Sequence, residues 1–459
     1  MVERLTRLDA SFLYLEEPGT PMHVGGVLVL EPPPGGVDAL AALVEARLSL
    51  VPRYRQRVAE VPGHLANPVW VDDPEFDLAY HLRRSGLPRP GTEEQLLDLV
   101  SRLSSRALDR SHPLWEAYLV EGLSGGRIAV ITKTHPALVD GLSAIDIGQV
   151  LLDVERDAPT PDPVAWQPRR APRDTELVMQ ALDEYARRPV SIVDSIRGAV
   201  TDVRSTAGRL SSVAGGLART ARSAVLPAPN SPLNVPVGRQ RRVAVARADL
   251  DEVKAIRKAH GGSVNDVLLT VVTGALREWL LSRGVPVVGA TTVRALVPVS
   301  LQDADYEPGN RVSSLLVDLP VGEPNPRVRL TRLGYAMGGI AQHGQSVGAD
   351  SLIALTGFAP PTLHALGARA ARGLSRRLFN LVVTNVPGPQ VPLYAAGGEM
   401  LEVFPVVPLA RGQGLSIGMT SYNGRVFFGL NADEDTVGDV HVLADLIEQE
   451  VAELVETAR

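Results

Sequence analysis

The sequence contains no cysteine, and this absence removes several kinds of site at once. Lysine is also scarce, with only three among the 46 lysine and arginine residues. Without cysteine there can be no disulfide framework, no thiolate metal site and no cysteine nucleophile. A covalent nucleophile in this chain would therefore have to be a serine, a threonine, a lysine or a carboxylate.

Long apolar runs are missing as well. No stretch approaches the ~20 consecutive apolar residues that a membrane-spanning helix needs. The first ten residues, MVERLTRLDA, lack the charged start, the apolar stretch and the cleavage site of a secretory signal. A net charge of -6 argues against nucleic acid as a partner, since phosphate neutralisation needs a basic face. We therefore expect a cytoplasmic protein that is soluble or peripheral to a membrane.

The apolar residues alternate between strand-like and helix-like spacing along the 459 residues, which predicts an α/β protein with two or three domains. The first half has predicted strands at 24–30 and 128–132 and predicted helices at 37–48, 91–108 and 141–154. The second half has a predicted helix at 264–281, a strand at 292–299 and a final helix at 439–457. Asn423-Gly424 between two strand-like runs, 415–421 and 425–430, predicts a β-hairpin.

Proline marks the predicted domain boundaries. Five prolines fall between residues 157 and 174, and a second proline-rich break spans 226–236, so neither segment suits a helix or a central strand. We therefore predict a first domain at 1–155, a linker at 156–236 and a second domain at 237–459.

Within the linker, apolar residues from Ile192 to Ala221 recur at steps of three and four, and five arginines surround this stripe. A basic amphipathic helix of this kind suits an anionic membrane or a lipid droplet surface. The alternative is a helix that buries its stripe against the domains, as most amphipathic helices of globular proteins do.

The segment most informative about function is Lys133-Thr-His-Pro-Ala-Leu-Val-Asp-Gly141, which lies between a predicted buried strand and a predicted helix. It resembles the His-His-x-x-x-Asp-Gly motif of the bacterial wax ester synthase/diacylglycerol acyltransferase family, which is similar to chloramphenicol acetyltransferase and peptide-synthetase condensation domains. The resemblance implies two chloramphenicol-acetyltransferase-like α/β domains joined by a helical linker, with a substrate tunnel between them.

The resemblance also implies a role for each matching residue. The second histidine of the family motif is a general base that takes the proton of an acceptor hydroxyl, and Pro136 occupies that position here. Asp140 corresponds to the aspartate that shapes the loop, and Gly141 to the glycine that leaves room for substrate. Proline has neither a titratable group nor an N–H, so it cannot transfer the proton. A positioned base typically contributes a factor of ~10²–10⁴ in rate, which sets the expected loss.

His135 matches the first histidine of the motif and is the nearest substitute for the missing base. If residues 134–136 are extended, neighbouring side chains point to opposite faces, and His135 faces away from the family's catalytic position. A turn at Pro136 could instead bring it inward. The other interpretation of His135 is a packing or loop-bracing histidine.

Further blocks resemble the family in the same order along the chain. They are 8–12 (LDASF), 21–25 (PMHVG), 108–116 (LDRSHPLWE), 263–267 (SVNDV), 296–300 (LVPVS), 309–311 (GNR), 384–389 (TNVPGP) and 392–394 (PLY). Trp115 is expected to pack in the core. Asn265 is a candidate oxyanion donor, while the alternative is that Asn265 or Asp266 caps the helix. Arg294 is a candidate partner of Asp140.

Other chemistries have weaker support. The remaining histidines show no paired metal-ligand spacing, and there is no Gly-Lys-Ser/Thr phosphate loop. Gly414-Leu-Ser-Ile-Gly418 fits the pattern of a hydrolase elbow but lies within a strand alternation, so we interpret Ser416 as a strand residue.

The resemblance implies transfer of a fatty acyl group from acyl-CoA to diacylglycerol or a long-chain alcohol, with acyl-CoA as co-substrate and no metal or redox cofactor. Pro136 predicts weakened activity. Two alternatives stay open: a non-catalytic member that binds acyl-CoA or lipid, and transfer to a different acceptor, such as an amine.

Overall fold

A computed structural model describes residues 3–17, 19–138, 151–187, 227–300, 312–343, 347–348 and 378–459. Its helices are α1 (Arg7–Leu15), α2 (Gly36–Arg47), α3 (Leu78–His81), α4 (Glu93–Ser104), α5 (Asp174–Arg187), α6 (Leu250–His260), α7 (Val264–Ser282), α8 (Pro326–His343), α9 (Glu434–Val437) and α10 (Val440–Ala458). Its strands are β1 (Val24–Leu30), β2 (Gln56–Ala59), β3 (Val69–Asp72), β4 (Leu82–Gly86), β5 (Trp115–Glu121), β6 (Ile128–Thr134), β7 (Arg241–Asp249), β8 (Val293–Ser300), β9 (Val312–Leu319), β10 (Val347–Gly348), β11 (Leu381–Pro387), β12 (Tyr394–Ala395), β13 (Gly398–Val406), β14 (Leu415–Tyr422) and β15 (Arg425–Asp433).

The first sheet has the strand order β12-β13-β1-β6-β5-β4, with only the β4–β5 pair parallel. Every residue of β6 is buried, which confirms the buried strand predicted at 128–132 and extends it to Lys133 and Thr134. β12 and β13 come from beyond residue 390; β13 pairs with the N-terminal strand β1, and β12 pairs with β13. Sheet membership therefore crosses the predicted domain division, because the C-terminal part of the chain supplies an edge of the N-terminal sheet.

The second sheet has the order β10-β9-β8-β11-β14-β15-β7 and is mixed, since β11 is parallel to both β8 and β14. Helices α7 and α10 pack together and against this sheet's core, in which Trp279 is fully buried. The predicted α/β class is thus confirmed by these two large sheets, each with its own hydrophobic core, and β2 and β3 form a further two-stranded sheet.

Local chemistry accounts for the ends of several elements. The side chain of Thr92 begins α4 in a capping box with Gln95, and Ser263 begins α7 in the same way with Asp266. Asn423 and Gly424 both have positive φ, at 44° and 79°, which is the geometry of a two-residue hairpin turn. The predicted hairpin between β14 and β15 is therefore confirmed.

The two halves are held together along the free edge of β7. The hydroxyl of Ser105, the residue that follows α4, and that of Ser101 within α4 accept the backbone N–H groups of Arg241 and Val243, both at 2.9 Å. Farther along, Arg247 pairs with Glu402 of β13 and with Glu93 of α4. Helix α4 thus covers a sheet edge that would otherwise leave backbone donors unpaired.

The other predicted elements of the described residues are found within a few residues of their predicted bounds. Residues 159–173 contain no helix or strand, as their prolines indicated. The amphipathic helix predicted at 192–221 and residues 141–150 of the helix predicted at 141–154 lie outside the described residues. Leu151 is helical, but residues 152–154 are not, so that predicted helix ends three residues too late. Within the described part of the chain, no helix has the length and apolarity needed to cross a membrane.

Candidate functional site

The predicted motif begins where β6 ends. Residues 136–138 form a turn directly after the strand, and the N–H of Leu138 bonds the carbonyl of His135 at 2.9 Å. The N–H of His135 bonds the carbonyl of Leu114, also at 2.9 Å. The Pro-Leu-Trp block, residues 113–115, is therefore adjacent to the histidine motif, residues 133–141, because β5 and β6 pair with Trp115 opposite Thr134.

The His135 ring is buried, with 1% of its surface exposed. Its Nδ1 accepts the backbone N–H of Ala137 at 3.1 Å, so the neutral ring must carry its proton on Nε2. Nε2 is buried without a hydrogen-bond partner. Burial, together with the positive charge of Arg110, lowers the pKa of His135 to about 3. This histidine braces the turn, and it could take a proton on Nδ1 only by losing the bond to Ala137.

His23 lies beside His135. Val24 pairs with Thr134 across β1 and β6, so the preceding residue on β1 is opposite the following residue on β6. His23 is buried, and its Nδ1 has no hydrogen-bond partner. The pKa of His23 is held well below its usual value, first by burial and then by the positive charges of Lys133 and Arg241 and by the proximity of His135. The two imidazoles are therefore neutral neighbours near pH 7.

A buried charged group supports the same strand. The Lys133 ammonium donates to the carbonyl of Arg106 at 2.8 Å and to the carboxylate of Glu116 at 3.3 Å. Glu116 also accepts the hydroxyl of Tyr118 at 2.8 Å. Burial, with Glu116 beside it, raises the pKa of Tyr118 to about 12. Because Lys133 and Glu116 are directly opposite on β6 and β5, the pair links the histidine motif to the Pro-Leu-Trp block.

The second half brings two of the quoted blocks together. The side-chain amide of Asn385 on β11 donates to Oδ1 of Asn265 at 3.0 Å. Helix α7 is capped instead by Ser263 and Asp266, so capping is the role of Asp266 and not of Asn265. Since Asn265 uses its acceptor in this bond, its N–H groups stay available as donors. No other hydrogen bond of that side chain is found among the described residues.

The structure gives contacts for several residues that the sequence analysis singled out. Trp115 is a core residue, as expected, with Nε1 bonded to the carbonyl of Tyr54 at 2.8 Å. Ser416 is buried within β14 and donates to the carbonyl of Val407, so it is the predicted strand residue. Arg294 binds Asp318 on the neighbouring strand. Asp140 and Gly141 lie outside the described residues, as does the 309–311 block.

The sequence did not identify three of these contacts. His23, Glu116 and Asn385 each belong to a block that was recognised, but each was taken as part of a strand or loop. The available signal was the co-occurrence of the blocks in order, which indicates proximity without specifying which side chains meet. Together the described groups form a buried polar layer under the turn at His135 and a side-chain amide pair at the start of α7.

Comparison with known proteins gives a consistent result. The wax ester synthase/diacylglycerol acyltransferase catalytic domain matches residues 5–268, and the C-terminal domain of the same family matches residues 308–455. A probable diacylglycerol O-acyltransferase of Mycobacterium tuberculosis, tgs1, is 34% identical over 466 residues, covering 100% of this chain and 97% of that protein. A second one, tgs3, is 46% identical over 260 residues, covering 56% of this chain and 96% of that protein.

Solved structures agree with these matches. The wax ester synthase/diacylglycerol acyltransferase of Marinobacter aquaeolei superposes with a TM-score of 0.71 at 29% identity, covering 99% of both chains. The starter condensation domain of rhizomide synthetase, solved in complex with C8-CoA, gives a TM-score of 0.54 at 13% identity, over 100% of this chain and 95% of that one. The second likeness concerns the fold alone, and it confirms the predicted two-domain acyltransferase-like architecture.

Proposed function

Because the chain belongs to the wax ester synthase/diacylglycerol acyltransferase family, we propose that it transfers a fatty acyl group from acyl-CoA to diacylglycerol or a long-chain alcohol. The observation that carries this proposal is the match of both family domains and of tgs1 over the whole chain. The products would be triacylglycerol or wax ester, and acyl-CoA would be a co-substrate rather than a resident cofactor.

The geometry supports roles for particular residues. Asn265 would donate its side-chain N–H groups to the oxyanion that develops on the thioester carbonyl, with Asn385 fixing its orientation. His135 would hold the turn through Ala137 rather than act as the base. Asp140 and Gly141 would shape the following loop, as the resemblance implies. Turnover would be slow, because Pro136 has no group that accepts the acceptor's proton.

The decisive assay uses purified protein, labelled palmitoyl-CoA and either diolein or hexadecanol. We expect weak wild-type turnover that rises at least about tenfold in Pro136→His, since a positioned base typically contributes ~10²–10⁴. Absence of turnover in both proteins, with palmitoyl-CoA still bound, would overturn the enzyme proposal.

A pair of His135 variants separates bracing from base catalysis. His135→Asn keeps an oxygen that can accept the Ala137 N–H, whereas His135→Ala removes the acceptor. If His135 braces the turn, the asparagine variant keeps most of the wild-type turnover and the alanine variant loses it. If His135 has become the base, both variants are equally inactive, because neither side chain titrates.

A second candidate function is binding of acyl-CoA without turnover. The state of His135 favours it: the ring is buried, its Nδ1 is engaged and its pKa is about 3. Equilibrium binding of palmitoyl-CoA, measured by calorimetry alongside the turnover assay, distinguishes the two functions. Binding with no acyl transfer to diolein, hexadecanol or a long-chain amine would identify a binding protein and also exclude the different-acceptor alternative.

We further propose that the protein lies on a membrane or lipid droplet surface. Met179 and Leu182 on α5 expose 66% and 50% of their surface, and Arg170 and Arg173 precede them with their side chains exposed. Two large apolar side chains exposed three residues apart on one helix favour a lipid surface. Because α5 also carries acidic residues and Glu176 pairs with Arg170, the expected attraction is apolar rather than electrostatic. In sedimentation with phosphatidylglycerol vesicles, Met179→Glu/Leu182→Glu should reduce binding, whereas Val288→Glu, at a position that is 65% exposed elsewhere, should not. Equal binding of all three proteins would exclude α5 as the contact.

A further inference from the structure

A column of stacked side chains runs from the proline-rich segment at 157–174 to Trp115 in the Pro-Leu-Trp block. The guanidinium carbon of Arg55 lies 5.1 Å from the Trp166 ring and 5.9 Å from the Phe76 ring. Phe76 stacks on His81 at 5.2 Å between ring centroids, and His81 stacks on Trp115 at 4.8 Å. The interplanar angles of these two stacks are 13° and 15°, so the rings are nearly parallel. The five side chains therefore form one continuous pile.

Trp166 is the outer end of this column. Every other residue from 159 to 170 is exposed, and only Trp166 is partly buried. Its indole N–H donates to the carbonyl of Asp73 at 3.3 Å. Three residues later, the backbone N–H of Arg169 bonds the buried carboxylate of Asp72 at 2.9 Å. The proline-rich segment is thus attached to the end of β3 through these contacts.

Arg55 makes the column sensitive to Trp166. Its side chain is buried, and its Nε has no hydrogen-bond partner. Among the residues that the structure describes, no carboxylate lies within ion-pair distance of its guanidinium. The two aromatic faces, together with the more distant negative charge of Glu45, therefore supply the compensation that a buried cation requires. Removing one ring would draw the guanidinium toward water and away from Phe76.

The inner end of the column meets the candidate site. His81 bonds the carbonyl of Trp115 through Nδ1 at 2.8 Å, so His81 contacts both the backbone and the ring of Trp115. The preceding carbonyl, that of Leu114, accepts the N–H of His135 at 2.9 Å. A displacement of Trp115 would therefore move the acceptor that holds the turn at His135 and Pro136.

We propose that Trp166 is a positioning residue for the acyl-transfer site, acting through Arg55, Phe76 and His81 on Trp115. The proline-rich segment then helps to position the site and does not only connect the domains. The catalytic consequence rests on the proposed function, whereas the physical coupling between Trp166 and the turn does not.

The coupling is tested by hydrogen–deuterium exchange on the full chain. Trp166→Ala removes the ring over Arg55, Trp166→Phe retains an aromatic face, and Val164→Ala is a matched control on the same segment, at a side chain that is 60% exposed. We expect exchange in peptides covering 113–121 and 132–138 to rise about tenfold in Trp166→Ala and to be unchanged in the other two. A rise confined to peptides around 52–58, 72–76 and 160–172 would overturn the coupling.

Turnover provides the second readout. Trp166→Ala should lower kcat for palmitoyl-CoA and diolein, with KM and the urea midpoint nearly unchanged, and Trp166→Phe should restore kcat. A uniform rise in exchange with a lower midpoint would show a merely structural role and refute the proposal. If neither the wild type nor Pro136→His shows turnover, the proposed function fails, and the exchange pattern alone decides whether Trp166 positions the turn.

Discussion

Gly274 offers the sharpest test of how the second core is built. It lies in the middle of α7, and a Cβ placed there would come within 3.0 Å of both Arg329 and Glu450. Those two side chains form a buried ion pair at 3.0 Å, with exposures of 1% and 4%. Neither can move into solvent, so the methyl group of Gly274→Ala must break the pair or displace α7.

The magnitude follows from two opposed effects. Alanine is favoured over glycine in a helix interior by about 1 kcal/mol. Breaking a buried ion pair costs roughly 3–5 kcal/mol, because a desolvated charge loses its partner. The free energy of unfolding should therefore fall by about 2–4 kcal/mol in Gly274→Ala.

Urea is the suitable denaturant, because it does not screen charge, and circular dichroism reports the unfolding at about pH 8, where Glu450 is ionised in the native protein. Gly334→Ala is the matched control: it is also a helical glycine, in α8, but a Cβ there has nothing within 4 Å. It should be neutral or stabilising by up to about 1 kcal/mol. A Gly274→Ala protein that unfolds at the wild-type urea concentration or above would refute the account of the buried pair.

Three further outcomes are expected. Burial raises the pKa of Glu450 to about 7 from 4.5, so the free energy of unfolding should fall as pH rises between these values. Glu450→Gln should remove that dependence in urea titrations at several pH values. Gly424→Ala places a side chain at φ 79° in the hairpin turn and should cost about 1–2 kcal/mol by the same assay. Asn265→Ala should lower kcat by ~10²–10³ without changing the urea midpoint, because Ser263 and Asp266 cap α7. A kcat within twofold of wild type would exclude Asn265 as the oxyanion donor.

Pro136 separates membership of the family from activity. The family assignment depends on both domains and on blocks spread from residue 8 to residue 394, so one substitution does not affect it. Under the proposed function, activity depends on whether a group near the turn takes the proton of the acceptor hydroxyl. The buried, turn-bracing state of His135 shows why this neighbour is a poor replacement, although the sequence makes it the first candidate.

The sequence alone determined the features that depend on neighbouring residues. Periodicity located β1, β6, α7 and α10, because the 2.0 and 3.6 repeats follow directly from backbone geometry. Asn423-Gly424 specified its turn, since few residues tolerate positive φ. The ordered blocks identified the family, and proline at 136 excluded the usual base on chemical grounds alone.

Only the tertiary structure decided which distant groups meet. The pairing of β13 with β1, the amide contact of Asn385 with Asn265 and the column from Trp166 to Trp115 all join residues more than 50 positions apart. Local patterns record which face of a strand or helix is apolar, but not which partner covers it. The lowered pKa of His135 likewise depends on burial, and its tautomer depends on the hydrogen bond from the Ala137 N–H. Both the burial and this bond form only once the strands have packed.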